Sequence, residues 1–160
     1  MTKRMRLQAD TNFWMVYFLK YEQLFEPCAR IVEMAAAERI ELLVAPSSVK
    51  DVFYLIPRAL RRMDSQEGRG SVSYRPAAWA CVEFMLDTAT PSPQGVAECE
   101  KARMLRQTID DFEDGLILAS AESAGADFVL TYDHGLLEQL PEVFVTPSRA
   151  LELMEIGLGD

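Results

Sequence analysis

Four aspartates, widely separated along the chain, lie where predicted strands or helices begin or end: Asp10, Asp51, Asp114 and Asp133. Asp10 directly follows the apolar-containing run at residues 5–9, and Asp133 follows the β-rich run at residues 127–132. In an α/β protein, the carboxyl ends of parallel strands meet in one crevice, where such folds bind ligands. Several ionised carboxylates cannot share a small space unless a cation neutralises them. The four aspartates therefore predict a divalent metal site and phosphate chemistry.

Each aspartate taken alone has a simpler, structural interpretation. Asp51 and Asp114 fall in predicted first helical turns, where the helix dipole and free N–H groups stabilise a carboxylate without a metal. Asp110 or Asp111 is expected to cap the helix that contains Asp114. Asp133 is typical of a turn that follows a strand. What favours a metal site is the presence of all four in one α/β chain.

A site built from carboxylates suits a hard cation. Mg²⁺ prefers oxygen ligands and keeps several waters, and Mn²⁺ can substitute for it. One ion, or two close together, can activate water and stabilise the leaving oxygen in an attack on a phosphodiester. The single histidine, His134, is expected to be a surface or structural residue, so Ser/His or Cys/His catalysis is not indicated.

Short strand-like runs alternate with helix-like segments, which predicts an α/β fold with a mainly parallel sheet covered on both faces. Strands are expected at residues 5–10, 41–44, 127–132 and 143–145, with a loop or short strand at 88–93. Helices are expected at residues 12–20, 28–39, 46–63, 76–87, 96–107, 110–124 and 147–156. Ser47 or Ser48 is a candidate cap for the third helix, and Pro57 predicts a kink within it. Residues 66–73 are rich in Gly and Ser and predict a flexible connection.

Composition is that of an ordinary globular protein, and 160 residues predict one domain, 1–160. No apolar run is long enough for a membrane helix, and no signal peptide is recognisable, so a cytoplasmic protein without a membrane partner is expected. Three widely spaced cysteines predict free thiols. The net charge is −9, and nine acidic residues without a Lys or Arg lie between residues 107 and 145.

Positive charge is concentrated elsewhere, in a stretch that contains Arg58, Arg61, Arg62, Arg69 and Arg75. These arginines are candidates to hold an RNA backbone, although a solvated helix face and loop explain them equally simply. A group of aromatic residues is expected to belong to the core, with base-stacking platforms as the alternative, and some of them could line a groove for a partner helix. Its members are Phe13, Trp14, Tyr17, Phe18, Phe53 and Tyr54.

The segments around the four aspartates resemble those of PIN domains. They are Leu-Gln-Ala-Asp-Thr-Asn at residues 7–12, Ala-Pro-Ser-Ser-Val-Lys-Asp at 45–51, Asp-Phe-Glu-Asp-Gly-Leu at 111–116 and Val-Leu-Thr-Tyr-Asp at 129–133. The last strand and helix, from Phe144 through Leu153, also fit the pattern. The resemblance covers nearly the whole chain in the right order. Two positions depart from it, because many members have Glu in place of Asp51 and Ala in place of Gly115.

The resemblance implies a three-layer α/β/α PIN-like sandwich and a Mg²⁺-dependent endoribonuclease, most similar to VapC-type toxins that act against an antitoxin protein. Carried over to this chain, Asp10, Asp51, Asp114 and Asp133 would form the metal-binding catalytic quartet. Thr131 would help to place a metal-bound water, and Asn12 would hold Asp10 in position. RNA would be the substrate, a cognate antitoxin the partner, and a homodimer is plausible for the family.

Two other functions remain open from the sequence. One is a PIN-fold module that binds RNA or protein without hydrolysis, although an unused acidic cluster costs stability through repulsion. The other is a phosphatase of the haloacid-dehalogenase type, which also begins with Asp after a strand. That chemistry requires a second Asp two residues later, where this chain has Asn12.

Overall fold

The computed structural model describes residues 3–66 and 73–157. The strands are β1 (Arg6–Ala9), β2 (Glu41–Val44), β3 (Thr90–Pro91), β4 (Phe128–Leu130) and β5 (Phe144–Val145). The helices are α1 (Thr11–Leu19), α2 (Phe25–Ala36), α3 (Pro46–Gln66), α4 (Arg75–Thr88), α5 (Val96–Met104), α6 (Phe112–Ser123), α7 (His134–Gln139) and α8 (Pro147–Gly157). A short 3-10 turn, Leu105–Gln107, continues from α5.

The strands form one parallel sheet in the order β3-β2-β1-β4-β5. Ala9 at the end of β1 is paired with Val44 on one side and with Leu130 on the other. The chain progresses outward from β1 in one direction through β2 and β3, and in the other through β4 and β5. The boundary between β1 and β4 is therefore the topological switch point, where α/β sheets open a ligand crevice at the carboxyl ends of their strands.

Alternation along the strands divides the core between the two faces of the sheet. Leu7 and Ala9 of β1 and Leu130 of β4 pack with α1, α2, α3 and α8 on one face. Val129 of β4 and Phe144 of β5 pack with α6 and α7 on the other. Because successive strand residues point to opposite faces, both faces must be covered by helices. The result confirms the predicted three-layer α/β/α sandwich.

The element boundaries follow the sequence signals with some differences. Helix α3 begins at Pro46 itself, the first-turn position that proline favours, so neither serine caps it as expected. Pro57 lies inside α3, which continues through it. Gly125 adopts a left-handed φ of +67° just beyond α6, which explains why this helix ends where it does. The six-residue helix α7 was not predicted, because it is too short to show a helical period.

The connection between α3 and α4 is described only at its ends. The predicted connection at residues 66–73 and Arg69 within it fall largely outside the described residues.

Within residues 3–66 and 73–157, no helix combines the length and the apolarity that crossing a membrane would require. All three cysteines lie in these ranges and are free thiols, with Cys28 buried and Cys99 exposed.

Candidate active site

The switch point between β1 and β4 carries a compact hydrogen-bonded network centred on Thr131. The Thr131 hydroxyl donates to Oδ2 of Asp10 at 3.0 Å and accepts from the side-chain amide of Asn12 at 3.0 Å. It also accepts from the backbone N–H of Asp133 at 3.1 Å. The Asn12 amide oxygen in turn accepts from the N–H of Tyr132 at 3.0 Å. Residues that follow β1 are thereby fixed to residues that follow β4.

These contacts define what Thr131 can do. A threonine hydroxyl offers one donor and two acceptor positions, and all three are occupied. The side chain is also fully buried. Thr131 therefore orients Asp10 and the start of α7, rather than offering a free position to a water. Asn12 acts on Asp10 through this hydroxyl and not by direct contact.

Three of the four predicted aspartates are positioned by helix starts. Asp10 caps α1 by accepting from the N–H of Thr11 at 2.8 Å. Asp133 caps α7 by accepting from the N–H of Leu136 at 3.1 Å. Asp114 lies in the first turn of α6, where Asp111 is the cap and accepts from the N–H of Asp114 at 3.0 Å. Each helix directs its N-terminal dipole toward the carboxylates, which favours negative charge there.

The carboxylates are close enough to influence one another's protonation. Burial raises the pKa of Asp10, and the charges of Asp133 and Asp51 add to that effect, against the hydrogen bonds from Thr11 and Thr131. Burial also raises the pKa of Asp114 to about 6, with further contributions from Asp111, Asp10 and Asp133. The structure therefore brings the four aspartates into one electrostatic cluster at the carboxyl edge of the sheet.

Asp51 enters this cluster from α3 and has partners of its own. Lys50 forms an ion pair with it at 2.8 Å. On the other side, a hydrogen bond with Asp51 is the largest cause that raises the pKa of Glu113 to about 7, followed by burial and the charge of Asp51. The neighbouring Asp51 therefore favours the protonated form of the Glu113 carboxyl near neutral pH. Asp51 belongs to the second turn of α3 rather than the first, because the helix begins at Pro46.

A family model described as PIN domain matches residues 6–135, which is most of the chain and includes all four aspartates. The chain belongs to the PIN domain family. Comparison of the sequence with curated proteins found no match.

Solved structures share the fold of this PIN domain. The VapBC2 complex of Rickettsia felis, bound to a promoter DNA fragment, superposes with a TM-score of 0.63 at 10% identity, covering 89% of this chain and 98% of that one. A toxin–antitoxin complex from Klebsiella pneumoniae gives 0.57 at 17% identity, with coverages of 88% and 97%. VapC20 of Mycobacterium tuberculosis, described as a sarcin–ricin loop cleaving toxin, gives 0.58 at 14% identity, with coverages of 79% and 89%.

The candidate metal ligands of this PIN domain are carboxylate oxygens, which suit a hard cation. Among the described residues, no three His, Cys, Asp or Glu side chains are grouped closely enough to hold one ion together. Asp133 and Asp51 instead direct oxygens to a helix N–H and to Lys50. Mg²⁺ commonly needs only one or two carboxylates and keeps its other waters. Burial raises the pKa of Asp10 and of Asp114, and neighbouring carboxylates add to the effect, so a bound cation would favour their charged forms.

Glu113 is the site residue that the sequence interpretation missed. It directly precedes Asp114 in a first helical turn, where acidic residues are common without any functional role. Its contact with Asp51 depends on the packing of α6 near α3, which no local pattern specifies. His134, in contrast, is exposed at the start of α7, in agreement with the surface position expected for it.

Proposed function

We propose that this PIN domain is a metal-dependent endoribonuclease, and that it is the toxin of a toxin–antitoxin pair. The observation that carries this proposal is the cluster of Asp10, Asp51, Asp114 and Asp133 at the switch point of the sheet. Charges on two helices and at two strand ends contribute to it, as the pKa values of Asp10 and Asp114 reflect. Such a concentration of carboxylates is costly to the fold unless a cation binds there.

In this proposal the four aspartates hold Mg²⁺, or Mn²⁺ in its place, directly or through waters. The bound cation would supply activation of a water and stabilisation of the leaving oxygen at a phosphodiester. The chain's own contribution is orientation. Thr131 fixes Asp10 and Asp133 relative to each other, and Asp111 fixes the helix turn that carries Asp114.

The structural neighbours support the biological part of the proposal. Two of them are toxin–antitoxin complexes, and VapC20 is described as a toxin that cleaves the sarcin–ricin loop. A separately encoded antitoxin is accordingly the proposed protein partner, and RNA the proposed substrate. The test for the partner is purification of the tagged chain from its host, with identification of any small DNA-binding protein that co-purifies and measurement of RNA cleavage with and without it.

The decisive experiment replaces Asp10 by Asn, which is nearly isosteric and keeps a side-chain oxygen for the Thr11 N–H. Cleavage of total cellular RNA and of a sarcin–ricin hairpin in Mg²⁺ should fall about a hundredfold or more. The variant should still unfold cooperatively, at a somewhat lower temperature, because the Asn amide nitrogen cannot accept from the Thr131 hydroxyl. Asp87→Asn, an exposed substitution at the end of α4, is the matched control and should cleave normally. Undiminished cleavage by Asp10→Asn would refute the assignment.

A second function is favoured by one specific observation, that Asp51 already has a cationic partner, because Lys50 forms an ion pair with it at 2.8 Å. A PIN-fold module that binds RNA or protein without hydrolysis could balance its carboxylates in this way. Calorimetric titration with Mn²⁺ separates the two functions. Heat of binding that disappears in Asp10→Asn supports the nuclease, and no heat together with no thermal shift supports the module.

A further inference from the structure

We propose that a cationic and aromatic surface on α3 and the first turns of α4 binds single-stranded RNA beside the carboxylate cluster. We call it the α3–α4 surface and define it by six residues: Lys50, Tyr54, Arg58, Arg61, Arg75 and Trp79. This inference rests on the proposed nuclease function and adds to it a path for the substrate.

The first element of the surface is a stripe along α3. Lys50, Tyr54, Arg58 and Arg61 are separated by four, four and three residues, so they lie on one side of the helix. With a rise of about 1.5 Å per residue, the stripe extends roughly 16 Å. One end is at the active site, because Lys50 contacts Asp51 at 2.8 Å. An extended strand that follows the stripe would therefore lead directly to the carboxylates.

The second element is a cavity of about 250 Å³ between α3 and the start of α4. Phe53, Tyr54 and Pro57 supply its apolar wall, and Arg58, Arg61 and Arg75 supply its charge. The Arg75 guanidinium carbon lies 5.3 Å from the centre of the Phe53 ring, which is a cation–π contact. The cavity therefore places arginine side chains next to aromatic rings.

The third element is the exposure of large rings at this surface. The exposed fractions are 61% for Tyr54 and 53% for Trp79. Both rings pack edge-on against Phe53, at centroid distances of 5.2 Å. Edge-on packing holds each ring in place and leaves ring surface open to solvent. Fixed, exposed rings are the platforms on which unpaired bases stack.

Charge identifies the partner as an anion. The whole chain carries −9, yet the side of α3 that bears this stripe is cationic apart from Asp51 at its active-site end and Asp64 at the other, which accepts a hydrogen bond from Tyr74. Phosphates are bound by such arginines without sequence preference, and rings between them add stacking with bases. An acidic peptide would use the arginines but would gain little from exposed rings. A duplex would offer phosphates but keep its bases stacked inside. Single-stranded RNA matches both features.

The test is direct binding without cleavage. A fluorescein-labelled twelve-nucleotide RNA of mixed sequence and no secondary structure is titrated with the protein in EDTA, and anisotropy is measured. Tyr54→Ala should weaken binding about tenfold, since one stacked base is worth ~1–3 kcal/mol. Tyr54→Phe should restore most of the affinity. Arg61→Ala should weaken binding and lower the slope of log K against log salt by about 0.7.

Two substitutions elsewhere serve as matched controls. Tyr21→Ala removes a ring that is 50% exposed near the end of α1, and Arg30→Ala removes an exposed arginine of α2. Both should bind RNA like the wild type, and all variants should unfold at similar temperatures because the changed side chains are on the surface.

The proposal is overturned if Tyr54→Ala and Arg61→Ala bind the RNA as tightly as their controls. It is also overturned if a duplex of the same length, or a poly-glutamate peptide of equal charge, competes as well as the single strand. Because EDTA prevents metal-dependent hydrolysis, this result is independent of the cleavage assay. A protein that binds the strand through Tyr54 but never cleaves it would contradict the nuclease function and leave the binding surface intact.

Discussion

The Thr131 hydroxyl donates a hydrogen bond of 3.0 Å to Oδ2 of Asp10, and so joins the ends of two strands that are 121 residues apart in the chain. The same oxygen accepts from the N–H of Asp133 and from Asn12. One buried oxygen thereby sets the relative positions of two of the proposed metal ligands. Its removal should affect stability and metal binding together.

Thr131→Val keeps the side-chain shape but removes the hydroxyl, so Asn12 and the Asp133 N–H lose their shared acceptor. We expect a loss of about 1–3 kcal/mol in the free energy of unfolding, because buried polar groups are left unpaired. Urea denaturation measures this loss. Thr131→Ser retains the hydroxyl and should stay much closer to the wild type. Equal stability of the valine and serine variants would show that the hydrogen bonds contribute little.

The metal-free protein should lose stability as the pH rises. Burial and neighbouring carboxylates raise the pKa of Asp114 from 3.8 to about 6, so the folded state holds a proton that the unfolded state has released. The contribution of this proton to the free energy of unfolding is fully present below about pH 4 and is lost as the pH rises through about 6. Urea unfolding in EDTA should therefore show a less stable protein at pH 8 than at pH 5.

Matched substitutions isolate the source of this pH dependence. Asp114→Asn cannot titrate and should flatten the difference between pH 5 and pH 8, whereas exposed Asp87→Asn should preserve it. Excess Mg²⁺ at pH 8 should stabilise the wild type, because a ligand that binds only the folded state shifts the unfolding equilibrium. A wild-type protein that becomes more stable from pH 5 to pH 8 in EDTA would contradict the assigned direction.

Glu113→Gln tests the contact with Asp51 that raises the pKa of Glu113 to about 7. The amide always carries hydrogens to donate, so the contact with Asp51 no longer depends on protonation near pH 7. At pH 8 in EDTA the variant should be more stable than the wild type by about 0.5 kcal/mol, or roughly 1–2 °C in Tm, the modest size expected of an exposed group. At pH 5 the two should be equal. Differential scanning fluorimetry measures the Tm at both pH values, and Glu83→Gln, an exposed substitution on α4, is the control. If the Glu113→Gln variant changed the Tm equally at pH 5 and pH 8, the contact between Glu113 and Asp51 would be refuted.

Much of the fold could be predicted because its signals are local. The run at residues 41–44 has three apolar residues after Glu41 and ends on the β-branched Val44, and the structure has a strand with the same limits, Glu41–Val44. Gly125 predicts the end of α6, and its left-handed φ is the physical reason. The capping residue of α3 was predicted wrongly. The sequence offers Pro46, Ser47 and Ser48 as helix-start signals, and the structure shows that the helix begins at Pro46. The six residues of α7 contain too few positions to show any period.

By itself, the sequence determined the order of the longer strands and of every helix except α7, and the parallel sheet that this order requires. It also determined that Asp10 and Asp133 follow strands and that Asp114 lies in a first helical turn. These properties follow from side-chain periodicity and from helix-start chemistry, which act over a few residues. Only the tertiary structure decided that the Thr131 hydroxyl is hydrogen-bonded to Asp10, Asn12 and Asp133. It alone also decided that Asp51 raises the pKa of Glu113, and that Tyr54 is exposed among arginines. Such contacts join residues far apart in the chain, and their geometry is set by how whole helices pack against the sheet.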